Sequence, residues 1–222
     1  MELRAIAHYM GEFSEKFGIP RQSGLADTSG LIVFKPEYSS PEAFRGIEQY
    51  SHLWIIWGFS AVEKKADFSP TVRPPKLGGN ERVGVFATRS PFRPNSIGLS
   101  CVEFVSLEKT AGGIALAVRG ADLMDNTPIY DVKPYLPYVD CKTGASGGFS
   151  DRFADSALKV NCDDKILAVI PEDSRNAFLQ VLSLDPRPAY HDDPDRIYGF
   201  EFAGKSVRFT VQNGTLTVVS AE

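Results

Sequence analysis

Residues 84–100, GVFATRSPFRPNSIGLS, run from one apolar stretch, Val83–Ala87, into another, Ile97–Leu107, and carry Arg89, Arg93 and Asn95 among prolines and aromatics between them. Both flanks are rich in Val, Ile, Leu and Phe, the composition of strands. No G-x-G-x-x-G follows a strand here or elsewhere, so the glycine fingerprint of a Rossmann-type nucleotide fold is missing. Working outward, Leu3–Tyr9, Leu31–Phe34, His52–Phe59, Ile114–Arg119 and Ile129–Val132 read as further strands separated by Gly and Pro. Strands at this density over the first 140 residues point to a barrel or a sandwich.

Between these strands, Pro41–Tyr50 reads as a short helix with Ser40 as N-cap and Pro41 in its first turn. Thr71–Asn80, TVRPPKLGGN, holds two prolines and two glycines and reads as a loop. The Gly/Ser-rich run from Cys141 to Phe149 reads as a linker, dividing the chain into residues 1–140 and 150–222. In the second part, Pro171–Leu182 reads as a helix capped by Asp173 or Ser174, with Phe178, Val181 and Leu182 on one face. The DPRP run at 185–188 stops it. Asn213-Gly214 inside Ser206–Val219 predicts a hairpin, because both residues tolerate positive φ.

The chain has 222 residues, 43% of them hydrophobic and 23% charged, an ordinary globular composition able to bury a core without staples. Cys101, Cys141 and Cys162 show neither disulfide nor zinc spacing, and His8, His52 and His191 lack helical metal spacing, so no metal is expected. The N-terminus shows no basic stretch followed by a long apolar run, and Leu53–Phe59 is too short to span a bilayer; the expectation is a cytoplasmic protein without a membrane partner. Residues 73–93 carry Arg73, Lys76, Arg82, Arg89 and Arg93 against the single acid Glu81, a net of +4 in a chain whose net charge is −4, leaving −8 elsewhere. Such a basic island can hold phosphates despite an acidic total, since binding follows the local field.

Two clusters carry candidate chemistry. Arg89 and Arg93 suit planar, multi-donor capture of a carboxylate or a phosphate. The stretch 122–135, DLMDNTPIYDVKPY, places Asp122, Asp125 and Asp131 around a turn, where acids can hold ribose hydroxyls or an ammonium group. Turn chemistry accounts for the same residues equally well.

The combination of Pro20-Arg21-Gln22, Phe44-Arg45-Gly46, Ser51–Trp54, TVRPPKLGGN, GVFATRS, Phe92–Asn95, Ile97-Gly98, Asp122-Leu123, Thr127-Pro128, Asp131–Tyr135 and DPRPAY at 185–190, in that order, resembles the TsaA/TrmO-like family of tRNA adenine-N6 methyltransferases. The resemblance implies a mainly β chain: an N-terminal β-barrel methyltransferase domain and a small α+β C-terminal domain. It implies S-adenosylmethionine as cofactor, a homodimer with cofactor sites near the subunit interface, and tRNA N6-threonylcarbamoyladenosine, beside the anticodon, as substrate. Carried over by position, cofactor contacts fall on Pro20, Arg21, Gln22, Phe59, Ser60, Arg89, Leu99, Asp122, Leu123, Met124 and Asp125. Some relatives carry His-Gln where this chain has Ser60-Ala61, so contacts there rest on the backbone. Asp131 or Tyr190 is the expected catalytic group, a general base near N6, and the alternative for Asp131 is a structural role, capping a turn before Lys133-Pro134. Arg73, Lys76, Arg93 and Arg187 are the expected tRNA contacts, with Phe92 and Tyr190 stacking on bases. The competing expectation is a non-catalytic module of the same fold that binds S-adenosylmethionine or RNA.

Overall fold

The computed structural model of the chain describes residues 2–62, 67–153, 156–187 and 193–222, the side chain of Lys76 lying outside the described set. Its first eight strands are β1 (Ala7–Gly11), β2 (Ser29–Phe34), β3 (His52–Gly58), β4 (Thr71–Val72), β5 (Val83–Gly84), β6 (Ile97–Thr110), β7 (Gly113–Arg119) and β8 (Pro128–Pro134). Six of them pair antiparallel in the order β1-β2-β7-β6-β3-β8, and β8 returns to β1, which makes a closed barrel. Closure leaves this sheet without an unpaired edge.

Period-two alternation sets which residues fill the interior. β6 opens with Gly98, Ser100 and Val102 buried, while Ile97 and Leu99 face outward. β3 turns Leu53, Ile55 and Trp57 inward, where they meet Ile32, Leu116 and Ile129. Burying each such side chain contributes about 1.5–3 kcal/mol. Trp57 stands opposite Gly98 in the β3–β6 register, and a Cβ on Gly98 would fall inside the Trp57 indole. Glycine at 98 is therefore what lets a tryptophan lie across the neighbouring strand.

After α1 (Pro137–Asp140), the second sheet comprises β9 (Lys159–Asn161), β10 (Tyr198–Phe202), β11 (Lys205–Gln212) and β12 (Thr215–Ala221), ordered β10-β11-β12-β9 with β9 parallel to β12. Two helices accompany it, α2 (Asp164–Leu167) and α3 (Arg175–Ser183). α3 buries Ala177, Phe178, Val181 and Leu182, a spacing that lines one helical face against Phe202 and Phe209. The β11–β12 turn is Asn213 at φ 49° and Gly214 at φ 73°, the two-residue hairpin expected from the sequence.

Residues 12–28, between β1 and β2, join the barrel to the second sheet: the Cys101 amide of β6 donates to Ser23 Oγ, while Phe13, Phe17, Ile19 and Ala26 enter the second core. Phe13, 1% exposed, meets Phe202 edge-on with ring centroids 5.4 Å apart, and Ala26 is buried in the same cluster. The Ala203 amide donates to the Glu12 carbonyl at 2.8 Å. The second core is thus completed by a segment more than 130 residues away in sequence.

Several expectations need correction. Pro41–Tyr50 is not one helix but two 3-10 turns, Pro41–Phe44 and Ile47–Gln49, because Gly46 at φ 88° breaks the path. Val83–Ala87 contributes only the short β5, paired with β4, followed by a 3-10 turn over Val85–Ala87. The first strand begins at Ala7 rather than Leu3. Two short patterns match catalytic signatures in letters alone. Gly199–Ser206, GFEFAGKS, has the spacing of a phosphate-binding loop, yet it is the β10–β11 hairpin, turning through Ala203 at φ 49° and Gly204 at φ 72° with a strand, not a helix, after it. Gly144–Gly148, GASGG, has the spacing of a serine nucleophile elbow but lies exposed in the linker with no strand leading into it. Among the described residues, no helix is long and apolar enough to cross a membrane.

Candidate active site

A cleft of about 590 Å³ opens at the barrel end where β3 runs out into Phe59–Val62. Its other walls come from the loop before β6, the start of β6, the turn between β7 and β8, and residues 16–22. The volume is within the range of small-molecule sites, about 300–1,000 Å³.

One wall is apolar. Phe59 packs on Trp57 at 4.3 Å between centroids, and Leu99, 54% exposed, projects from β6 beside them. The opposite side is polar. Arg89 Nη1 donates to Gln22 Oε1, and the Gln22 amide donates back to the Arg21 carbonyl. Arg21 Nη2 donates to the Arg187 carbonyl at 3.4 Å. Lys16, Arg21, Arg89 and Arg93 line the cleft with one carboxylate among its described lining residues, Asp122.

Asp122 is held from behind. Ser100 Oγ donates to its Oδ1 at 2.5 Å, and the Trp57 indole N–H donates to Ser100 Oγ at 2.9 Å. Burial pushes the Asp122 carboxyl above its ordinary value; the bonds from Ser100 and from backbone, and the Arg89 charge, oppose that without cancelling it. Between the ordinary and the raised value the folded chain binds more protons than the unfolded one. Stability therefore falls as pH rises through that window. Burial raises Glu12 in the same direction. Asp122→Asn keeps an acceptor for Ser100 and removes the buried charge. The expected result is a smaller loss of stability with rising pH than in wild type, read from urea denaturation at a series of pH values. An unchanged slope would mean that Asp122 is not the group responsible.

The structure gathers nine of the eleven expected cofactor residues around this cleft: Pro20, Arg21 and Gln22 on one segment, Phe59 and Ser60 on another, then Arg89, Leu99, Asp122 and Met124. Two are elsewhere. Leu123, 1% exposed, belongs to the barrel core. Asp125 turns to the end of β1, where its Oδ1 accepts from the Gly11 amide at 3.2 Å. Alternation along 122–125 explains both, since neighbours in an extended segment point in opposite directions. Asn126, at φ 60°, makes the turn that ends that segment.

Asp131, expected as a catalytic group, does not line the cleft. It sits on β8, 44% exposed, with Lys133 Nζ 2.8 Å from its Oδ2 and the Val132 amide donating to Oδ1 at 2.9 Å. Tyr190, the other, lies outside the described residues. Of the expected tRNA contacts, Arg93 lines the cleft and donates from Nη1 to the Thr88 carbonyl at 3.0 Å. Arg73 is exposed outside it. Arg187 is largely buried and paired with Asp185 at 2.9 Å, so it braces the 185–187 turn that accepts from Arg21. The turn of the DPRP run thus supports the cleft from behind. Sequence reading did not find Trp57, Ser100 or Lys16. Trp57 and Ser100 are strand residues whose partnership depends on the β3–β6 register, and no local signal reports it.

A family model for the tRNA-methyltransferase O N-terminal domain matches residues 8–141, and one for the TrmO C-terminal domain matches residues 157–222. The chain is 36% identical over 219 residues to a tRNA (adenine(37)-N6)-methyltransferase of Escherichia coli strain K12, covering 95% of this chain and 93% of that protein. It is 40% identical over 197 residues to a protein described as a putative S-adenosylmethionine-dependent methyltransferase of Pseudomonas aeruginosa, covering 84% and 82%. A crystal structure of TrmO from Pseudomonas aeruginosa superposes with a TM-score of 0.79 at 30% identity, covering 100% of this chain and 98% of that one. Both family models together span almost the whole chain, and the fold agreement is equally broad: the chain belongs to the tRNA-methyltransferase O (TrmO) family of methyltransferases.

Proposed function

We propose that the protein methylates the adenine N6 at position 37 of tRNA, taking the methyl group from S-adenosylmethionine and N6-threonylcarbamoyladenosine as substrate, and that it works in the cytoplasm as a homodimer. The observation that carries this reading is the meeting of Arg89 and Asp122, from two remote polar clusters, across one cleft with an apolar wall. The names of the relatives support tRNA and S-adenosylmethionine. The exposed apolar side chains Ile97 and Leu99 at the start of β6, at the cleft, support a second subunit there.

The cleft residues fit the donor. Arg89, steadied by Gln22, suits the methionine carboxylate. Asp122 accepts from the amino group or a ribose hydroxyl, and Phe59 and Leu99 cover the adenine. When bound, S-adenosylmethionine supplies an electrophilic methyl group on a sulfonium. The residues of this chain contribute by orientation: the cleft walls restrict where a second adenosine can enter, and positioning of that kind accounts for much of the rate of a displacement reaction. The positive lining draws the RNA backbone to the same opening.

Purified protein given methyl-labelled S-adenosylmethionine is expected to label an anticodon stem–loop RNA bearing N6-threonylcarbamoyladenosine, and to label the unmodified RNA far less. S-adenosylmethionine alone is expected to raise the unfolding temperature. Thermal stabilisation without label in either RNA would sink the enzymatic reading and leave only a binding module.

A further inference from the structure

Phe68 and Phe86 stand beside the β4–β5 ribbon, 56% and 72% exposed. Their rings stack with centroids 6.2 Å apart and planes 28° from parallel. Phe86 occupies a 3-10 turn, Val85–Ala87, whose Val85 is 1% exposed. The buried valine holds the turn and directs the next side chain into solvent. Arg93 connects this pair to the cleft: it lines the cleft wall, and its guanidinium carbon lies 6.0 Å from the centre of the Phe86 ring. Arg73 and Arg82 are exposed on the same loop system, within the segment of net charge +4.

Two large apolar rings left in water are unfavourable unless something covers them. The surrounding arginines favour a polyanion over an apolar protein face. An enzyme acting on a base must take that base out of its stack, which also strips its neighbours of stacking partners. Aromatic side chains replace that loss, because every base has a π-face. We propose that Phe86, backed by Phe68 and linked to the cleft by Arg93, is a stacking platform for a nucleobase flanking the target adenosine in a single-stranded RNA loop. This rests on the tRNA-methylating reading above and adds the residues that hold the neighbouring base.

The test compares wild type, Phe86→Leu, Phe86→Trp and Phe68→Leu for binding of an anticodon stem–loop RNA carrying the modified adenosine, and of derivatives made abasic on one or the other side of it. Phe86→Leu keeps an apolar side chain without a π-face and, being exposed, leaves the fold intact; a thermal melt and S-adenosylmethionine binding equal to wild type verify this. The expected result is about tenfold weaker RNA binding for Phe86→Leu, a smaller loss for Phe68→Leu, and full affinity for Phe86→Trp. One abasic RNA should bind wild type and Phe86→Leu equally, since the stacked base is already gone. Wild type that binds and methylates RNA while Phe86→Leu does the same overturns the platform and leaves the function standing. Wild type that neither binds nor methylates overturns both. A change of oligomeric state in Phe86→Leu by sedimentation, with equal losses on intact and abasic RNA, overturns the platform by assigning the rings to a protein interface.

Discussion

Replacing Arg89 with alanine is expected to lower kcat/KM for methyl transfer about a hundredfold, the equivalent of ~3 kcal/mol for removing one partner of a charge-assisted clamp. The side chain is exposed at the cleft rim, its bond to Gln22 is a contact between two surface groups, and it anchors no core residue. Stability should therefore change little, which separates a loss of function from a loss of fold. Arg89→Lys keeps the charge and gives up the planar donor array. It should recover part of the loss, with KM for S-adenosylmethionine rising more than kcat falls. An Arg89→Ala enzyme with wild-type kcat/KM would remove this arginine from cofactor capture.

Phe13→Ala should have the largest effect on stability, about 3–5 kcal/mol, as for truncation of a buried aromatic. At 222 residues, that corresponds to a fall in unfolding temperature on the order of 10 °C. The reason is placement: Phe13 is in the barrel half of the sequence and in the core of the other half, against Phe202. The same segment carries Pro20, Arg21 and Gln22 to the cleft. The variant should thus also bind S-adenosylmethionine more weakly, although Phe13 does not line the cleft. Urea denaturation and a cofactor titration check both. A stability loss under ~1 kcal/mol would mean that residues 12–28 merely rest on the second core. By the same argument, a fragment of residues 157–222 should not unfold cooperatively, since it lacks Phe13, Phe17, Ile19 and Ala26.

Much of the architecture is local and was legible in the chain. Short runs rich in Val, Ile, Leu, Phe and Trp, bounded by Gly and Pro, identify β3, β6 and β7 because such side chains fit a pleated, packed surface. Asn213-Gly214 predicts its hairpin because few residue pairs accept positive φ twice. Errors arose where local signals compete. Pro41–Tyr50 has a good helix start, but Gly46 in the left-handed region interrupts it. A motif match in letters is no safer a guide: Gly199–Ser206 fits the spacing of a phosphate loop, an activity not expected of this chain, and the strand pairing of β10 with β11 decides its shape.

The binding site divides in the same way. Pattern and resemblance were enough to name Arg89, Asp122 and the Pro20–Gln22 segment, because residue type and order along the chain carry that information. Neighbourhood in space is another matter. That Trp57 reaches Asp122 through Ser100, and that β8 carries Asp131 on a face away from the cleft, depends on strand register and barrel closure. A register shift of one residue would turn Trp57, Ser100 or Asp131 to the other face of the sheet. Those contacts join residues up to 65 positions apart, and no periodicity within a single strand encodes which strand will lie beside it.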